Sequence, residues 1–224
     1  MKIKKNIIIY LIIGFAVLFI VCFTAAMNKN SAEIGKAVFG SVNGVIGSAS
    51  DDIFKVITSM GNTESVILIC AILLAVPKRF FRNKIAFPAV SATVCAWTLN
   101  ELIKLAVGRA RPGVDALVKA GGYSFPSGHA ASSGALCFCL FLLVYQYMKK
   151  GALKTAVLAF LAIFPLLIGF SRVYVGVHYI SDVVAGLSVA AIVSLITYCV
   201  SIRDTYVALG KNAEKKDKEV KNEN

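Results

Sequence analysis

Long apolar runs, separated by short clusters of charged residues, follow one another along the chain as far as residue 203. Each run has about the 20 apolar residues that a helix needs to cross a bilayer. None shows the two-residue alternation of a membrane β-strand, so the pattern predicts an all-α integral membrane bundle. Its six transmembrane helices correspond to the runs between Lys5 and Lys29, 56–77, 85–107, 129–148, between Lys154 and Arg172, and between Asp182 and Arg203.

The second run is the least regular of the six. Glu64 lies inside it, and its uncharged part, 65–76, is short for a span. The residues before it carry apolar side chains at helical spacing: Ile53, Phe54, Ile57 and Met60. That spacing predicts an amphipathic helix at 51–60 on the membrane surface, and the alternative is the first part of one tilted span.

Composition agrees with a membrane protein and excludes a soluble domain of this size. Of the 224 residues, 58% are apolar, and the mean hydropathy is +0.75. The net charge of +12 lies in short clusters between the apolar runs, so no nucleic acid is expected as a partner. The six cysteines all lie within apolar runs, which predicts small buried hydrophobic residues rather than a metal site.

The distribution of basic residues predicts the orientation in the membrane. With the N-terminus in the cytoplasm, 16 of the 24 lysines and arginines lie on the cytoplasmic side. Residues 1–203 then form one six-span domain with both termini cytoplasmic, and 204–224 form a disordered, charged cytoplasmic tail. The first run has an alternative as a signal peptide cleaved near Ala25-Ala26, but its uncharged stretch is longer than a usual signal core.

Ionisable residues near helix ends are the strongest functional signal, because membranes rarely tolerate them without a role. Six of them fall on the outer side of this topology: Lys104, Arg111, His129, Arg172, His178 and Asp182. The set suits phosphoryl transfer. Lysine and arginine neutralise phosphoryl oxygens, and histidine can attack phosphorus or protonate the leaving oxygen.

The two histidines differ in their neighbours. His178 and Asp182 are four residues apart on one helix face, so the carboxylate can orient the imidazole. His129 follows Pro126-Ser127-Gly128 at a turn that opens a helix, where exposed N–H groups point at an anion. The spacing alone favours His178 as the nucleophile, because only this histidine has a carboxylate at i+4.

Three motifs in this region resemble those of the type 2 phosphatidic acid phosphatase (PAP2) superfamily, which also includes vanadium haloperoxidases. They are Lys104-(six residues)-Arg111-Pro112, Pro126-Ser127-Gly128-His129, and Ser171-Arg172-(five residues)-His178-(three residues)-Asp182. Short patterns recur by chance, but these three occur in order and with their internal spacing within a core of 104–182. The resemblance implies a PAP2/haloperoxidase-like bundle and a bacterial membrane lipid phosphatase.

The resemblance also implies a role for each matched residue. His178 would be the nucleophile that forms a phosphohistidine, Asp182 would orient it, and His129 would be the general acid. The residues that would hold the phosphate are Lys104, Arg111, Arg172, Ser127 and Gly128, with Ser171 as a further candidate.

Several residues outside the motifs have simpler interpretations. Arg109 is expected to be an interfacial anchor, with contact to the substrate as the alternative. Glu101 lies one turn before Lys104 and is expected to be its ion-pair partner. Tyr123 and Phe125 flank the second motif, where they either line a lipid entry or pack the loop.

The predicted function is hydrolysis of a phosphomonoester or diphosphate of a membrane lipid on the extracytoplasmic face. The motifs contact only the transferred phosphoryl group, so phosphatidic acid, phosphatidylglycerophosphate and undecaprenyl diphosphate all remain candidates. The outer carboxylates are scattered, so no metal and no other cofactor is expected. A vanadate-binding haloperoxidase is disfavoured because those enzymes are soluble. A non-enzymatic lipid-binding or transport protein on the same fold is the other alternative.

Overall fold

The computed structural model describes residues 3, 5–28 and 30–222, with the backbone alone at residues 5, 32, 80 and 203–222. All regular secondary structure in these residues is helical. The helices are α1 (Lys5–Met27), α2 (Ser31–Ile46), α3 (Asp51–Ser59), α4 (Thr63–Ala75), α5 (Arg79–Phe81), α6 (Phe87–Val107), α7 (Gly128–Tyr147), α8 (Ala152–Tyr174) and α9 (Ile180–Asn222). A 3-10 turn at Ser48–Ser50 precedes α3, and a π-helical turn at Arg82–Ala86 joins α5 to α6.

Five of the described helices are long and apolar enough to cross a membrane: α1, α6, α7, α8 and the first part of α9. α3 and α4 add a sixth span if the pair is counted as one. The prediction of an all-helical membrane bundle is therefore confirmed. The predicted second span consists of two helices that meet at an angle of 48°, because residues 60–62, here called the α3–α4 bend, interrupt it. Asn62 in this bend has an extended backbone (φ −62°, ψ 154°).

Helix α2 has no counterpart among the predicted elements. Its three glycines, which are poor helix formers, conceal the repeat of Val38, Val42 and Ile46 along one face. These side chains pack against the clusters around Val173 and Tyr174 at the end of α8. α2 therefore covers the segment that leads from α8 to α9.

Small residues let α7 and α9 approach closely at the centre of the bundle. A Cβ added to Gly134 of α7 would lie 2.8 Å from the Cβ of Ala190 in α9. The Ser194 hydroxyl donates a hydrogen bond to the Ala135 carbonyl across the same interface, at 3.1 Å. Close packing of small residues with hydrogen bonds between helices is typical of membrane bundles. Lipid tails are as apolar as the side chains, so the hydrophobic effect alone does not hold the helices together.

The structure differs from the predicted disordered tail, since α9 continues as a helix to Asn222. The tail sequence is rich in lysine, glutamate and alanine, which are good helix formers. A helix that is already formed and packed at its start also needs no new nucleation to continue. The cytoplasmic position of this segment stays a prediction.

Candidate active site

A cavity of about 350 Å³ opens at one end of the bundle, between the α3–α4 bend, the end of α6, the start of α7 and the end of α8. We call it the polar cavity. Six of the residues predicted for the site line it: Lys104, Arg111, Gly128, His129, Arg172 and His178. The other three, Ser127, Ser171 and Asp182, are fully buried and do not line it. The fold thus brings together distant parts of the sequence, since Lys104 and His178 are 74 positions apart.

The two ring nitrogens of His178 have different partners, which define its tautomer. Arg111 Nη1 lies 3.2 Å from Nε2. Because a guanidinium can only donate, Nε2 must carry a lone pair, and the proton is on Nδ1. Nδ1 lies 3.4 Å from both Asp182 Oδ2 and Ser124 Oγ, which is long for a hydrogen bond. Nε2 therefore lies beside Arg111, which lines the polar cavity, and the Asp182 carboxylate lies near the other ring nitrogen.

Burial lowers the pKa of His178 from its ordinary value to about 4, although the hydrogen bond and charge of Asp182 act in the opposite direction. Arg172 and Arg111 add to the decrease by like-charge repulsion. The His178 imidazole is therefore neutral near pH 7, which is the form in which Nε2 can act as a nucleophile.

Asp182 is held by donors that occupy none of the matched positions of the three motifs. Its carboxylate accepts hydrogen bonds from the Ser124 hydroxyl, from the Tyr179 N–H at 3.0 Å and from Arg109 Nη1, with which it forms a buried ion pair. The Ser124 N–H in turn donates to the Arg109 carbonyl at 2.8 Å, so these two residues reach the carboxylate together.

The prediction of Arg109 as an interfacial anchor is wrong. Its side chain is 7% exposed, its Nη1 also donates to Ser181 Oγ at 2.9 Å, and its guanidinium stacks on the Tyr179 ring, 3.7 Å from the ring centre. Helix α6 ends at Val107, and the cap residue Gly108 has a left-handed conformation (φ 64°), which turns Arg109 toward α9. In the sequence, the feature that could have pointed to Arg109 is that it is a basic residue on the predicted outer side with no role in a motif. No comparable feature marks Ser124.

Arg111 connects the loop between α6 and α7 to the turn that carries His178. Its guanidinium donates to the Gly121 carbonyl at 2.6 Å and to the Val177 carbonyl at 2.8 Å. Burial lowers the pKa of Arg111 from its ordinary value, and the Asp182 charge raises it. The arginine thus fixes the loop and presents the same cationic group to the polar cavity.

Lys104 and Arg172 contribute the other two positive charges predicted for the site. Lys104 Nζ donates to Glu101 Oε1 at 2.7 Å, which confirms the predicted ion pair. Arg172 Nη1 donates to Thr58 Oγ1 at 2.7 Å, while its buried Nε has no partner among the described residues. Both cations retain donor capacity toward an anion in the cavity.

The turn before α7 places Gly128 beside Lys104. A Cβ added to Gly128 would lie 3.2 Å from Lys104 Nζ, so glycine leaves room for the ammonium group and for an anion. The Ser127 N–H donates to the Asp182 carbonyl at 2.9 Å, which joins this turn to α9. The buried Ser127 Oγ has no partner among the described residues.

Ser171 and Phe125 take structural positions. The Ser171 hydroxyl donates to the Ile168 carbonyl of its own helix at 2.7 Å. Phe125 is fully buried against Phe19 and Phe23 of α1, with ring centres 5.8 and 6.1 Å apart, so it packs the loop. Tyr123 remains 45% exposed.

A second space, here called the apolar groove, lies between α4 and α6. Its volume is about 450 Å³, and its wall consists mainly of aliphatic side chains such as Val66, Ile67, Leu74 and Val94. The groove and the polar cavity share three lining residues: Thr63, Trp97 and Ser132. The two spaces therefore adjoin.

The sequence pattern of the PAP2 superfamily matches residues 85–206, which is more than half of the chain. The chain belongs to the PAP2 superfamily. This PAP2 protein is 33% identical over 95 residues to phosphatidylglycerophosphatase B of Bacillus subtilis, covering 40% of this chain and 45% of the relative. It is 38% identical over 115 residues to lipid A 1-phosphatase of Rhizobium johnstonii, covering 47% and 43%. The matches span less than half the length of these relatives.

Two crystal structures of other proteins share the fold. A transmembrane PAP2 type phosphatidylglycerolphosphate phosphatase from Bacillus subtilis matches with a TM-score of 0.77 and 21% identity, over 87% of this PAP2 chain and 97% of that protein. LpxE from Aquifex aeolicus matches with a TM-score of 0.56 and 22% identity, over 75% and 93%. With the apolar helices, these likenesses identify a multi-pass membrane protein.

Proposed function

We propose that this chain is a membrane lipid phosphatase that hydrolyses a phosphate ester or diphosphate through a phosphohistidine on His178. The observation that carries the proposal is the junction of the polar cavity and the apolar groove. A lipid phosphate has two matching halves. Its phosphate pairs with Lys104, Arg111 and Arg172, and its hydrocarbon lies in the groove.

In the first step, the Nε2 lone pair of His178 attacks phosphorus, and an N–P bond forms as the bond from phosphorus to the lipid oxygen breaks. Protonated His129 gives its proton to the leaving oxygen, so the lipid departs as an alcohol or, from a diphosphate, as a lipid monophosphate. The three cations neutralise the phosphoryl oxygens in the transition state. The Asp182 carboxylate balances the positive charge of the phosphorylated ring.

In the second step, water attacks phosphorus and the N–P bond breaks. His129, now neutral, takes the proton from water and returns to its protonated form. Inorganic phosphate leaves, and His178 recovers the lone pair on Nε2. No external oxidant or reductant is needed, and both histidines end in the state in which they began.

The substrate we propose is a glycerolipid or polyprenyl lipid with a terminal phosphate: phosphatidylglycerophosphate, phosphatidic acid or undecaprenyl diphosphate. The names of the matched relatives support a lipid phosphate. We also propose that the polar cavity faces the extracytoplasmic side with both termini in the cytoplasm, since this orientation places most basic residues inside.

The test is phosphate release by the purified, detergent-solubilised protein from these three lipids and from p-nitrophenyl phosphate. Wild-type protein is expected to turn over at least one lipid, and His178→Ala is expected to be inactive while Asp182→Asn keeps a much reduced rate. With a ³²P-labelled lipid, acid-labile label should appear on the wild type and be absent from His178→Ala. A folded wild type that binds these lipids without releasing phosphate would indicate a lipid-binding protein and overturn the proposal.

A further inference from the structure

The end of α3 and the α3–α4 bend lie outside the segment that matches the PAP2 superfamily, and yet they contact two residues of the motifs. Thr58, in the last turn of α3, accepts a hydrogen bond from Arg172 at 2.7 Å. Asn62, in the bend, has its Oδ1 2.8 Å from His129 Nε2. Both residues also line the polar cavity.

The position of Asn62 makes this contact unusual. Asn62 is the N-cap residue of α4, where an asparagine side chain normally accepts a hydrogen bond from the first turn of its helix. Here the side chain makes no capping bond and is directed instead to the imidazole of another helix. The only side-chain hydrogen bond described for Asn62 is therefore the one to His129.

Gly61 brings the bend close to the same edge of the ring. A Cβ added at this position would lie 3.1 Å from His129 Cδ2 and 2.6 Å from Ile168 Cγ2. The Nε2–Cδ2 edge of His129 therefore abuts the bend. The other ring nitrogen, Nδ1, makes no hydrogen bond among those described, and the His129 side chain lines the polar cavity.

The Asn62 amide oxygen determines which nitrogen of the His129 ring carries hydrogen. Oδ1 can only accept, so Nε2 carries hydrogen, and in the protonated ring the second hydrogen is on Nδ1. Lys104, Arg111 and Arg172 line the same cavity and repel a protonated imidazole. An acceptor on Nε2–H offsets part of that repulsion, and a neutral amide does so without retaining the proton as a carboxylate would.

We infer that Asn62 is a positioning residue that orients His129 and stabilises its protonated form, so that Nδ1–H can be donated to the leaving oxygen. This inference rests on the proposed phosphatase function. Asn62 acts on His129 as Asp182 acts on His178, but with an uncharged acceptor, which suits an acid that must lose its proton. The bend between α3 and α4 is then part of the catalytic apparatus.

The test uses two leaving groups. An alkoxide, as from didecanoyl phosphatidic acid, needs a proton to leave, whereas p-nitrophenolate leaves without one, so loss of the acid lowers the ratio of the two rates. Asn62→Leu is expected to lower the ratio of kcat/KM for phosphatidic acid to kcat/KM for p-nitrophenyl phosphate about 10- to 100-fold, as removal of an orienting partner does in other sites, and kcat/KM is used because it covers only the steps up to departure of the leaving group. His129→Ala is expected to lower the same ratio further, and Asn62→Gln, which keeps a neutral amide acceptor, is expected to lower it less than Asn62→Leu does.

Two control variants separate positioning from general damage. Thr58→Val removes the acceptor of Arg172, so it should slow both substrates alike and leave the ratio unchanged. Asn83→Leu makes the same substitution at an exposed residue of the π-helical turn before α6, which does not line the polar cavity, so it should leave the ratio at the wild-type value. Asn62→Ala repeats the test if the leucine variant does not fold, with thermal unfolding as the measure of folding.

Each outcome decides the matter. A lowered ratio in Asn62→Leu, with a smaller loss in Asn62→Gln, supports the inference. The inference is overturned if Asn62→Leu and Asn62→Ala slow both substrates equally or slow neither. The contact between Asn62 and His129 would then be packing alone. A wild type that releases phosphate from none of the three lipids and not from p-nitrophenyl phosphate refutes the proposed function itself, and this result is distinct because the ratio is then undefined for every variant.

Discussion

The buried ion pair between Arg109 and Asp182 offers the sharpest test of how the site is held. The two side chains are 7% and 0% exposed, so each charge is almost fully removed from water. Replacing Arg109 by Met leaves the Asp182 carboxylate with the Ser124 and Tyr179 donors but without its countercharge. Removal of one partner from a buried pair costs about 3–5 kcal/mol. In a chain of this length, that corresponds to a fall in Tm of roughly 6–20 °C.

The buried cysteines provide the assay. Cys137 and Cys139 are 5% and 0% exposed, so a thiol-reactive fluorophore reports their exposure during heating in detergent. Arg79→Met is the matched control, because Arg79 is exposed and its substitution should leave Tm within about 2 °C of the wild type.

A double variant completes the cycle. In Arg109→Met/Asp182→Asn no charge is left unpaired, so its loss of Tm should be smaller than the sum of the two single losses. Two results would refute the idea that this pair is coupled. One is a Tm for Arg109→Met equal to that of the wild type, and the other is a Tm loss in the double variant equal to the sum of the two single losses.

Four further predictions concern the site and its support. Gly186→Ala places a Cβ 2.5 Å from the Ser127 carbonyl, so it should cost about 1–3 kcal/mol in thermal unfolding, whereas Gly40→Ala, with nothing within 4 Å, should not destabilise. Because the pKa of His178 is about 4, kcat/KM should not fall as pH drops through about 6.5, and an acid limb at about 6.5 would contradict this. Over the same range the unfolded chain takes up a proton that folded His178 does not, so this residue's contribution to stability should decrease from pH about 6.5 toward 4. Turnover should be unchanged in excess EDTA, since the described residues contain no group of three His, Cys, Asp or Glu side chains placed to hold a metal ion; loss of activity that added metal restores would disprove it.

The sequence predicted the parts of this protein that depend on local pattern. The length of an apolar run relates directly to the thickness of a bilayer, so five spans and the two halves of the sixth were found close to their observed bounds. The i, i+3 spacing predicted the Lys104–Glu101 pair, which the structure shows at 2.7 Å. The motif spacings also selected six residues that line one cavity.

Errors arose where glycines or polar residues weakened the local pattern. Helix α2 was missed because its glycines dilute an apolar stripe that becomes visible only against α8. Its stability comes from that packing rather than from helix propensity, which is the usual case for a short helix.

Only the tertiary structure decided which residues outside the motifs support the site. Arg109 and Ser124 reach Asp182 across 73 and 58 positions, and Asn62 reaches His129 across 67. The local sequence around each of these polar residues is equally compatible with a solvent-exposed loop or a helix cap. Spacing along a helix or strand specifies contacts within one element, whereas a hydrogen bond between distant segments depends on how all the helices pack, and no local pattern records that.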